Sequence, residues 1–504
     1  MSGTDLAAAR AALEAGHGTV LVRERVADLD TPVGAFLKLT GGAQANAFLL
    51  ESIEGGAARG RYSGIGLAPD LVWRCRGGKA EINRHALSAP HAFVPESGPA
   101  LDSLRRVIAE ARMPVPPGLP PMAAGVFGYL GYDMVRLFEK LPEPNPDPLG
   151  LPDAVLVRPT VTAIFDNVRD EITLVTPVWP GALDAAAAHR AAEGRLDDVV
   201  ARLTGPLPRL TAGDAAWPSS DLMTSNTPKA DYLKMVARAK DYIAAGDIFQ
   251  VVPSQRFSAP FGLPPFALYR SLRRLNPSPF LYFLDFPDCA IVGSSPEILV
   301  RLRAGTVTIR PIAGTLPRGA TPEEDIANEH RLLGDPKERA EHLMLLDLGR
   351  NDVGRVARIG TVKVTDSFII ERYSHVMHIV SNVEGELDPR HDAIDALAAG
   401  MPAGTVSGAP KVRAMEIIDE LEVHKRGVYA GAVGYFAADG AMDTCIVLRT
   451  GIVKDGTLYV QAGGGVVADS DPESEFQETV AKSRALIRAA EDAVRFVDGA
   501  QLNG

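Results

Sequence analysis

The pattern of apolar and polar residues predicts a chain that mixes strands and helices. Residues 1 to about 20 have the pattern of a short helix, and Thr19 to Val26 that of a strand. From residue 47 to 78, short apolar runs alternate with Gly-rich turns, which is typical of antiparallel sheet. Two more strands are predicted between Val155 and Pro177, and an alanine-rich helix follows from about Leu183 to Leu203.

A segment rich in Pro, Ser, Thr and Gly, residues 204–228, interrupts this periodicity. We place the main division of the chain there, between a lobe of residues 1–203 and a second domain of residues 229–504. A helix is predicted from Lys229 to Ala245, and a strand over residues 248–257. Because most of the unusual motifs follow the linker, we expect the functional site in the second domain.

One stretch of the second domain joins a Gly-rich loop to a helix. Gly463, Gly464 and Gly465 let backbone amides approach a ligand, since no Cβ stands in the way. Ser470 or Asp471 can cap the helix that follows. The loop is therefore suited to binding an anion.

Carboxylates recur at helical spacing on two predicted helices. Glu475, Glu478 and Lys482 share one face of the helix after the glycines, because three and four residues separate them. Glu338 and Glu341 form a similar pair on an earlier helix. Two acidic pairs facing one cavity would suit Mg²⁺, which prefers a few carboxylate oxygens with water and substrate oxygens. Solvated acidic helix faces show the same spacing, so the pattern alone leaves both interpretations open.

Composition and charge restrict the class of protein. The 504 residues exceed what one core usually supports, and 46% of them are hydrophobic, so we expect a globular protein of two or more large units. A net charge of −11 argues against a nucleic-acid partner, and an anionic substrate would need a site of local positive potential.

The cysteines and the apolar runs bear on the compartment. Cys75, Cys289 and Cys445 are scattered and odd in number, which fits neither a disulfide framework nor a zinc cluster and favours the cytoplasm. No apolar run reaches the roughly 18 residues of a membrane span, and the N-terminus lacks the pattern of a signal peptide. Neither membrane insertion nor export is expected.

Two polar residues stand in apolar strands. Arg449, in a predicted strand over residues 443–450, needs an anionic partner, which is either a protein carboxylate or a ligand. His378, in another apolar strand, is either a hydrogen-bonded core histidine or a functional group. Two loops rich in Gly and Thr, residues 310–319 and 402–411, offer free amides and hydroxyls to carboxylates.

Eight segments resemble, in order, those of the chorismate-utilising enzymes. They are GSSPEILVR (293–301), RPIAGTLPRG (310–319), KERAEHLMLLDLGRND (337–352), VMHIVSNVEG (376–385), PAGTVSGAPK (402–411), RGVYAGAVGYF (426–436), DTCIVLRT (443–450) and QAGGGVVADSDPESEFQET (461–479). Within that family the chain is similar to component I of anthranilate synthases over about residues 20 to 490. The resemblance implies a two-lobed α/β (α+β) fold of antiparallel sheets layered with helices. It also allows the two halves to interleave in space.

The resemblance implies roles for single residues. Glu341 and Glu478 would bind Mg²⁺, with Glu338 and Glu475 beside them. The residues expected to hold chorismate, a dianion, are Gly314, Thr315, Tyr429, Arg449, Gly463, Gly464, Gly465 and Lys482. The residues expected to take part in the reaction are Glu297, as the acid that protonates the departing C4 hydroxyl, Thr405, which lines the site, His378, in the elimination of pyruvate, and Lys482.

Two positions distinguish the relatives within the family. Salicylate and isochorismate synthases place a water-activating lysine where this chain has Gln250, and aminodeoxychorismate synthases typically place a nucleophilic lysine where it has Ala313. The resemblance therefore favours ammonia as nucleophile and amination at C2. An aminodeoxychorismate synthase component is one alternative. A catalytically inactive tryptophan-sensing subunit is another, although the charged set of the site is intact.

The resemblance further implies inhibition by tryptophan and a partner subunit. LLES and NPSPFLYF match the segments that bind the inhibitor, with Ser52, Pro277 and Ser278 as contacts, whereas Phe280 and Leu281 stand where many relatives have Tyr and Met. No cysteine lies in a Gly-rich nucleophile elbow. We therefore expect a separate glutamine amidotransferase subunit to supply ammonia.

Overall fold

The computed structural model describes residues 6–54, 58–181, 184–211, 219–373 and 376–498. Residues 1–5 of the predicted N-terminal helix and residues 212–218 of the predicted linker lie outside these ranges. The helices of the described residues are α1 (Leu6–Glu14), α2 (Pro32–Thr40), α3 (Ala100–Glu110), α4 (Ala185–Leu203), α5 (Lys229–Ala244), α6 (Pro265–Leu275), α7 (Pro322–Gly334), α8 (Pro336–Gly354), α9 (Ala393–Gly400), α10 (Lys411–Leu421) and α11 (Pro472–Asp492).

The strands of the same residues belong to an extensive antiparallel network. They are β1 (Thr19–Val26), β2 (Ala47–Glu54), β3 (Ala58–Arg76), β4 (Lys79–Asn83), β5 (Val94–Pro95), β6 (Gly125–Leu130), β7 (Ala154–Asp166), β8 (Glu171–Val178), β9 (Thr224–Ser225), β10 (Gln250–Val251), β11 (Ser254–Pro260), β12 (Phe280–Phe286), β13 (Cys289–Ser295), β14 (Ile298–Arg303), β15 (Thr306–Ile309), β16 (Ile312–Pro317), β17 (Lys363–Arg372), β18 (Val376–Glu386), β19 (Gly408–Ala409), β20 (Ala432–Ala437), β21 (Met442–Ile446), β22 (Thr450–Lys454) and β23 (Thr457–Gly463).

Strands β3 and β7 belong to two sheets at once. The first part of β3 pairs with β2 and with the end of β7, and its last part pairs with β4 and with the start of β7. The register between β3 and β7 shifts between Pro69 and Leu71, and Ala68 has a left-handed backbone with φ 47°. Because a register shift bends a strand, one strand pair can serve both sheets.

The remaining strands extend each sheet from this shared pair. The first sheet has the order β9, β11, β23, β22, β13, β12, β2, β3, β7, β8, β1. The second has the order β5, β4, β3, β7, β6, β20, β21, β14, then β15 and β16 end to end, β18 and β17. All of these pairs are antiparallel, and β10 and β19 form a separate short ribbon.

Helices cover the outer face of each sheet, which gives four layers. Helices α2, α4, α6 and α11 pack on the first sheet in a core that includes Phe36, Phe266 and Leu486. Helices α3, α8, α9 and α10 pack on the second sheet. A third apolar core lies between the two sheets, where the rings of Phe48 and Phe127 stack with centroids 4.7 Å apart. The fold implied by the resemblance, antiparallel sheets layered with helices, is confirmed.

The two parts of the chain on either side of the predicted linker pair in the same sheets. Strand β2 pairs with β12, and β6 pairs with β20. Helix α11, near the end of the chain, shares a core with α2 and α4. The described part of the linker itself contributes β9, which pairs with β11. Residues 204–228 therefore connect two halves along the chain without separating them in space.

Several local predictions are confirmed, and one strand is interrupted. Strand β1 has the predicted bounds, and α4 and α5 follow their predicted ranges closely. The predicted strand over residues 248–257 is broken after Val251, at Val252 and Pro253, since proline has no amide for a sheet hydrogen bond. In the part of the chain that the structure describes, the helices are too short or too polar to cross a bilayer.

A close approach between strands in the second sheet gives a test of the fold. Gly128 in β6 has φ 153°, and a Cβ there would lie 2.0 Å from the carbonyl oxygen of Val155 in β7. Gly128→Ala should lower the free energy of unfolding by about 3 kcal/mol, because the strands must separate. Urea unfolding followed by circular dichroism measures this.

The matched control is Gly194→Ala, at an exposed position of α4 where a Cβ meets open space. That change should stabilise the protein by about 0.5–1 kcal/mol, since alanine favours helix over glycine. Equal unfolding midpoints for Gly128→Ala and the wild type would contradict the close approach.

Candidate active site

The glycine loop between β23 and α11 packs closely against its surroundings. Asp471 caps α11, as one of the two predicted caps, by accepting a hydrogen bond from the amide of Ser474 at 2.9 Å. A Cβ on any of the three glycines would lie under 3.0 Å from another atom. The nearest atoms are the carbonyl oxygen of Pro253 for Gly463, at 2.9 Å, Oε2 of Glu475 for Gly464, at 2.8 Å, and Nε2 of Gln250 for Gly465, at 2.9 Å.

Two predicted substrate-binding side chains hold the first glycine. Lys482 Nζ donates to the carbonyl oxygen of Gly463 at 2.9 Å and pairs with Oε1 of Glu478 at 2.7 Å. The amide of Gly463 donates to the hydroxyl of Tyr429, and burial raises the pKa of that hydroxyl to about 12. The loop, a lysine and a neutral phenol therefore meet at one point.

The acidic pairs of α8 and α11 come close enough to influence each other. Burial raises the pKa of Glu341, and the carboxylates of Glu338 and Glu478 raise it further. Burial also raises the pKa of Glu475, as does Glu478, although a hydrogen bond from Ser470 acts against this. The carboxylates of the two helices are therefore close enough to repel each other.

This set of side chains can be tested for its fit to Mg²⁺. Among the described residues, no three His, Cys, Asp or Glu side chains converge into a ready metal centre. Glu475 nevertheless has one oxygen, Oε2, that is buried and without a hydrogen-bond partner, while its other oxygen accepts from Ser470 at 2.8 Å. Mg²⁺ usually takes one or two carboxylates and completes its shell with water and substrate oxygens. The hard oxygen donors on the two helices fit that chemistry.

Glu297 is a buried acid. Its side chain lies between β13 and β14, it is 6% exposed, and burial raises its pKa to about 8. Thr405 Oγ1 donates to both carboxyl oxygens at 3.3 Å, and the amide of Ile312 donates as well. Near pH 7 the group is protonated, so that it can act as a proton donor.

His378 is held in one orientation by the strand beside it. In β18 it lies opposite Thr315 of β16, and its Nδ1 is 3.0 Å from both the carbonyl oxygen of Gly314 and Oγ1 of Thr315. Because a carbonyl only accepts, Nδ1 carries the proton and Nε2 keeps a free lone pair. Burial lowers the pKa of His378. The ring is therefore a neutral base.

Arg449 differs from its prediction. It lies between β21 and β22 rather than in a strand, with a left-handed φ of 48°. A kink of this kind interrupts an apolar run without leaving a signal in the hydrophobic pattern. Within the described residues Arg449 makes no ion pair, burial lowers its pKa, and its charge lowers the pKa of His378. A half-buried cation without a carboxylate partner is suited to an anionic ligand.

The residues predicted to bind an inhibitor lie elsewhere, at a cavity of about 780 Å³ between the sheets. Ser52 lines this inter-sheet cavity and pairs with Phe280 across β2 and β12. Pro277 and Ser278 precede β12 and are not among the described residues that line it; Pro279 and Phe280 line it instead. Of the three predicted residues, Ser52 alone is therefore among the described residues that line the cavity.

Sequence reasoning missed one residue of the site, Tyr373. Its ring meets that of His378 with centroids 5.5 Å apart, and it also lines the inter-sheet cavity. Its one sequence signal is its position five residues before His378. Periodicity cannot show that β17 and β18 pair, which is what places the two rings side by side.

Comparison with known proteins identifies the family of the chain. Residues 57–488 match the family described as chorismate binding enzyme. This match spans most of the chain, and the chain belongs to the family of chorismate-binding enzymes. It is an enzyme that acts on chorismate.

Relatives that match nearly the whole chain have a more specific name than the family. Component 1 of anthranilate synthase from Cereibacter sphaeroides is 61% identical over 485 residues, which cover 96% of each chain. The protein of that name from Pseudomonas aeruginosa is 49% identical over 94% of this chain and 96% of the relative.

Solved structures give the same picture. The crystal structure of anthranilate synthase component I from Streptococcus pneumoniae has a TM-score of 0.76 and 38% identity, over 92% of this chain and 99% of that one. The menaquinone-specific isochorismate synthase of Escherichia coli, 18% identical with a TM-score of 0.69 over 95% and 99%, shares the fold.

The protonation of Glu297 can be measured directly. Since burial raises its pKa to about 8, the infrared carbonyl band of a protonated carboxyl should persist at pH 7 and disappear as the pH rises through about 8. Glu297→Gln should lack the titrating band. Loss of the band near pH 5 would contradict the assignment.

Proposed function

We propose that this chain is the chorismate-binding component of an anthranilate synthase, which catalyses the first committed step of tryptophan biosynthesis. The observation that carries the proposal is the 61% identity over 96% of the chain with a relative named anthranilate synthase component 1. The three cysteines are buried free thiols, which supports a cytoplasmic enzyme.

Chorismate carries two carboxylates, and the site offers several groups to them. Arg449 and Lys482 supply positive charge, and the glycine loop supplies backbone amides. Mg²⁺, held by Glu341 and Glu478 with Glu338 and Glu475 beside them, would neutralise substrate charge and orient it. These groups fix the ring between Glu297 and His378.

The first step joins ammonia to C2. The nitrogen lone pair forms the new C–N bond, the two ring double bonds shift, and the C4 oxygen leaves with its bonding electrons. Glu297 gives its proton to that oxygen, so that water leaves, and the new ammonium group at C2 then releases one proton, which leaves a neutral amine and balances the proton that Glu297 gave. Thr405 keeps the carboxyl turned toward the substrate.

The second step removes the enolpyruvyl group. Nε2 of His378 takes the C2 proton, the C3–O bond breaks, and the electrons of the C–H bond complete the aromatic ring. The departing enolate becomes pyruvate when it takes up a proton. The products are anthranilate and pyruvate.

Two side chains indicate which nucleophile attacks chorismate. Gln250 is 2% exposed, lies beside Gly465 and cannot take a proton from water, which favours ammonia over water. Ala313 has no nucleophile and speaks against the covalent route of an aminodeoxychorismate synthase component. Because none of the three cysteines lies in a nucleophile elbow, a glutamine amidotransferase subunit would supply the ammonia.

Tryptophan would act as feedback inhibitor in the inter-sheet cavity beside Ser52. That cavity is lined by apolar side chains together with charged ones such as Arg310 and Glu371, which suits an amino acid that is both aromatic and zwitterionic. A catalytically inactive tryptophan sensor would use the same cavity, but the free cation and the buried acid favour an enzyme.

Product formation tests the activity. With chorismate, Mg²⁺ and ammonium, the purified chain should form fluorescent anthranilate; with glutamine it should not. EDTA should abolish the reaction and Mg²⁺ should restore it. Accumulation of an aminated product that keeps its pyruvyl group would contradict an anthranilate synthase.

The inhibitor site has a test of its own. Ser52→Phe would fill the cavity, so the concentration of tryptophan that halves activity should rise at least about tenfold. Ser88→Phe, at an exposed turn, is the control and should change nothing. Unchanged sensitivity in Ser52→Phe would remove Ser52 from the inhibitor site.

A further inference from the structure

Tyr373 stands in the wall between the inter-sheet cavity and the active site. It directly follows β17, and it is 8% exposed. One side lines the cavity together with Ser52, and the other side packs edge-on against His378 at 64°. It is thus a single side chain that contacts both places.

Its hydroxyl is tied to the cavity wall. Tyr373 Oη donates to Oε2 of Glu371 at 2.9 Å, and Glu371 is also paired with Arg310. Both of these charged residues line the cavity. Arg318 Nη1 donates to the carbonyl oxygen of Tyr373 at 2.8 Å, which holds the backbone. The ring can therefore change its position only if the bond to Glu371 changes.

Tyr373 and Glu371 also lie close to the residues proposed to act in the reaction. Glu371 lies directly across from His378 in the register of β17 and β18. Tyr373 also lies near Arg449 and Glu297. A shift of the Tyr373 ring would therefore reach the proposed base, acid and substrate cation together.

We propose that Tyr373 is a positioning residue for His378 and the link through which occupancy of the inter-sheet cavity changes turnover. The inference rests on the proposed inhibition by tryptophan. An amino acid brings an ammonium and a carboxylate, which compete for Glu371 and Arg310. This competition frees the Tyr373 hydroxyl and lets its ring turn against His378. The ligand thus has different contacts in the two states, as coupling requires.

A tyrosine that only filled the core would give a different pattern. Its hydroxyl would need one acceptor of any kind, and its loss would lower stability without separating binding from turnover. Here the acceptor is a carboxylate in the wall of a ligand cavity, so the two effects can be separated.

The experiment compares Tyr373→Phe, which keeps the ring, with Tyr373→Leu, which removes it. For each holoprotein, the dissociation constant of tryptophan is measured by calorimetry, and inhibition is measured with ammonium as co-substrate. Tyr373→Phe should bind tryptophan within about twofold of the wild type, but its half-inhibitory concentration should rise at least about tenfold. Its kcat should fall about threefold.

Tyr373→Leu should lower kcat about 30-fold and change the KM for chorismate less than about twofold, because positioning of the base acts on the transition state. Glu371→Gln keeps an acceptor for the hydroxyl but loses the charge that attracts the ammonium group, so it should weaken tryptophan binding and inhibition together, a result that can be measured even if Tyr373→Leu does not fold. Tyr129→Phe is the matched control. Tyr129 is also buried between the sheets and donates to the carbonyl oxygen of Pro152 at 2.7 Å, but it lines neither site.

The outcomes separate this inference from the proposed function. If Tyr373→Phe is inhibited as strongly as the wild type, Tyr373 is not the link. If it loses tryptophan binding and inhibition together, Tyr373 is a ligand of the inhibitor instead. If the wild type forms anthranilate but neither binds tryptophan nor responds to it, the feedback proposal fails and this inference fails with it.

Discussion

Two strands that belong to two sheets set the geometry of the molecule. Strands β3 and β7 use their backbone hydrogen bonds in the first sheet along one part of their length and in the second sheet along the other. Backbone groups in a sheet interior must be paired, so neither sheet can slide past the other without breaking these bonds. The stacked rings between the sheets and the inter-sheet cavity both depend on this fixed spacing.

The candidate site contains cationic side chains although the protein as a whole is negatively charged. The chain carries −11, yet Arg449 has no carboxylate partner among the described residues and Lys482 is shared between Glu478 and a backbone oxygen. Burial meanwhile raises the pKa of Glu341 and of Glu475. The charges of both signs in this region are therefore only partly compensated by the protein itself. An anionic substrate would neutralise the cationic side chains, and a divalent cation would neutralise the carboxylates.

Sequence predicted the local parts of the fold better than their assembly. Strand β1, helix α5 and the Asp471 cap follow from periodicity and from capping chemistry, which involve neighbouring residues. The pairing of β2 with β12 could not be predicted, because periodicity contains no information on partners distant along the chain. The place of Tyr373 was missed for the same reason, whereas the kink at Arg449 was missed because a left-handed residue leaves no signal in the hydrophobic pattern. The resemblance placed the candidate site residues in one region because it rests on the whole set of motifs.

The pairing of distant strands also affects how the protein is made. The exposed edge of β2 is complete once residue 54 has left the ribosome, but its partner β12 begins only at residue 280. The edge of β6 likewise waits from residue 130 until β20 begins at residue 432. Unpaired edges template wrong pairing between chains. During much of its synthesis the nascent chain therefore presents open edges that only later segments, at residues 280–286 and 432–437, can close, and a polypeptide released early would carry them into solution.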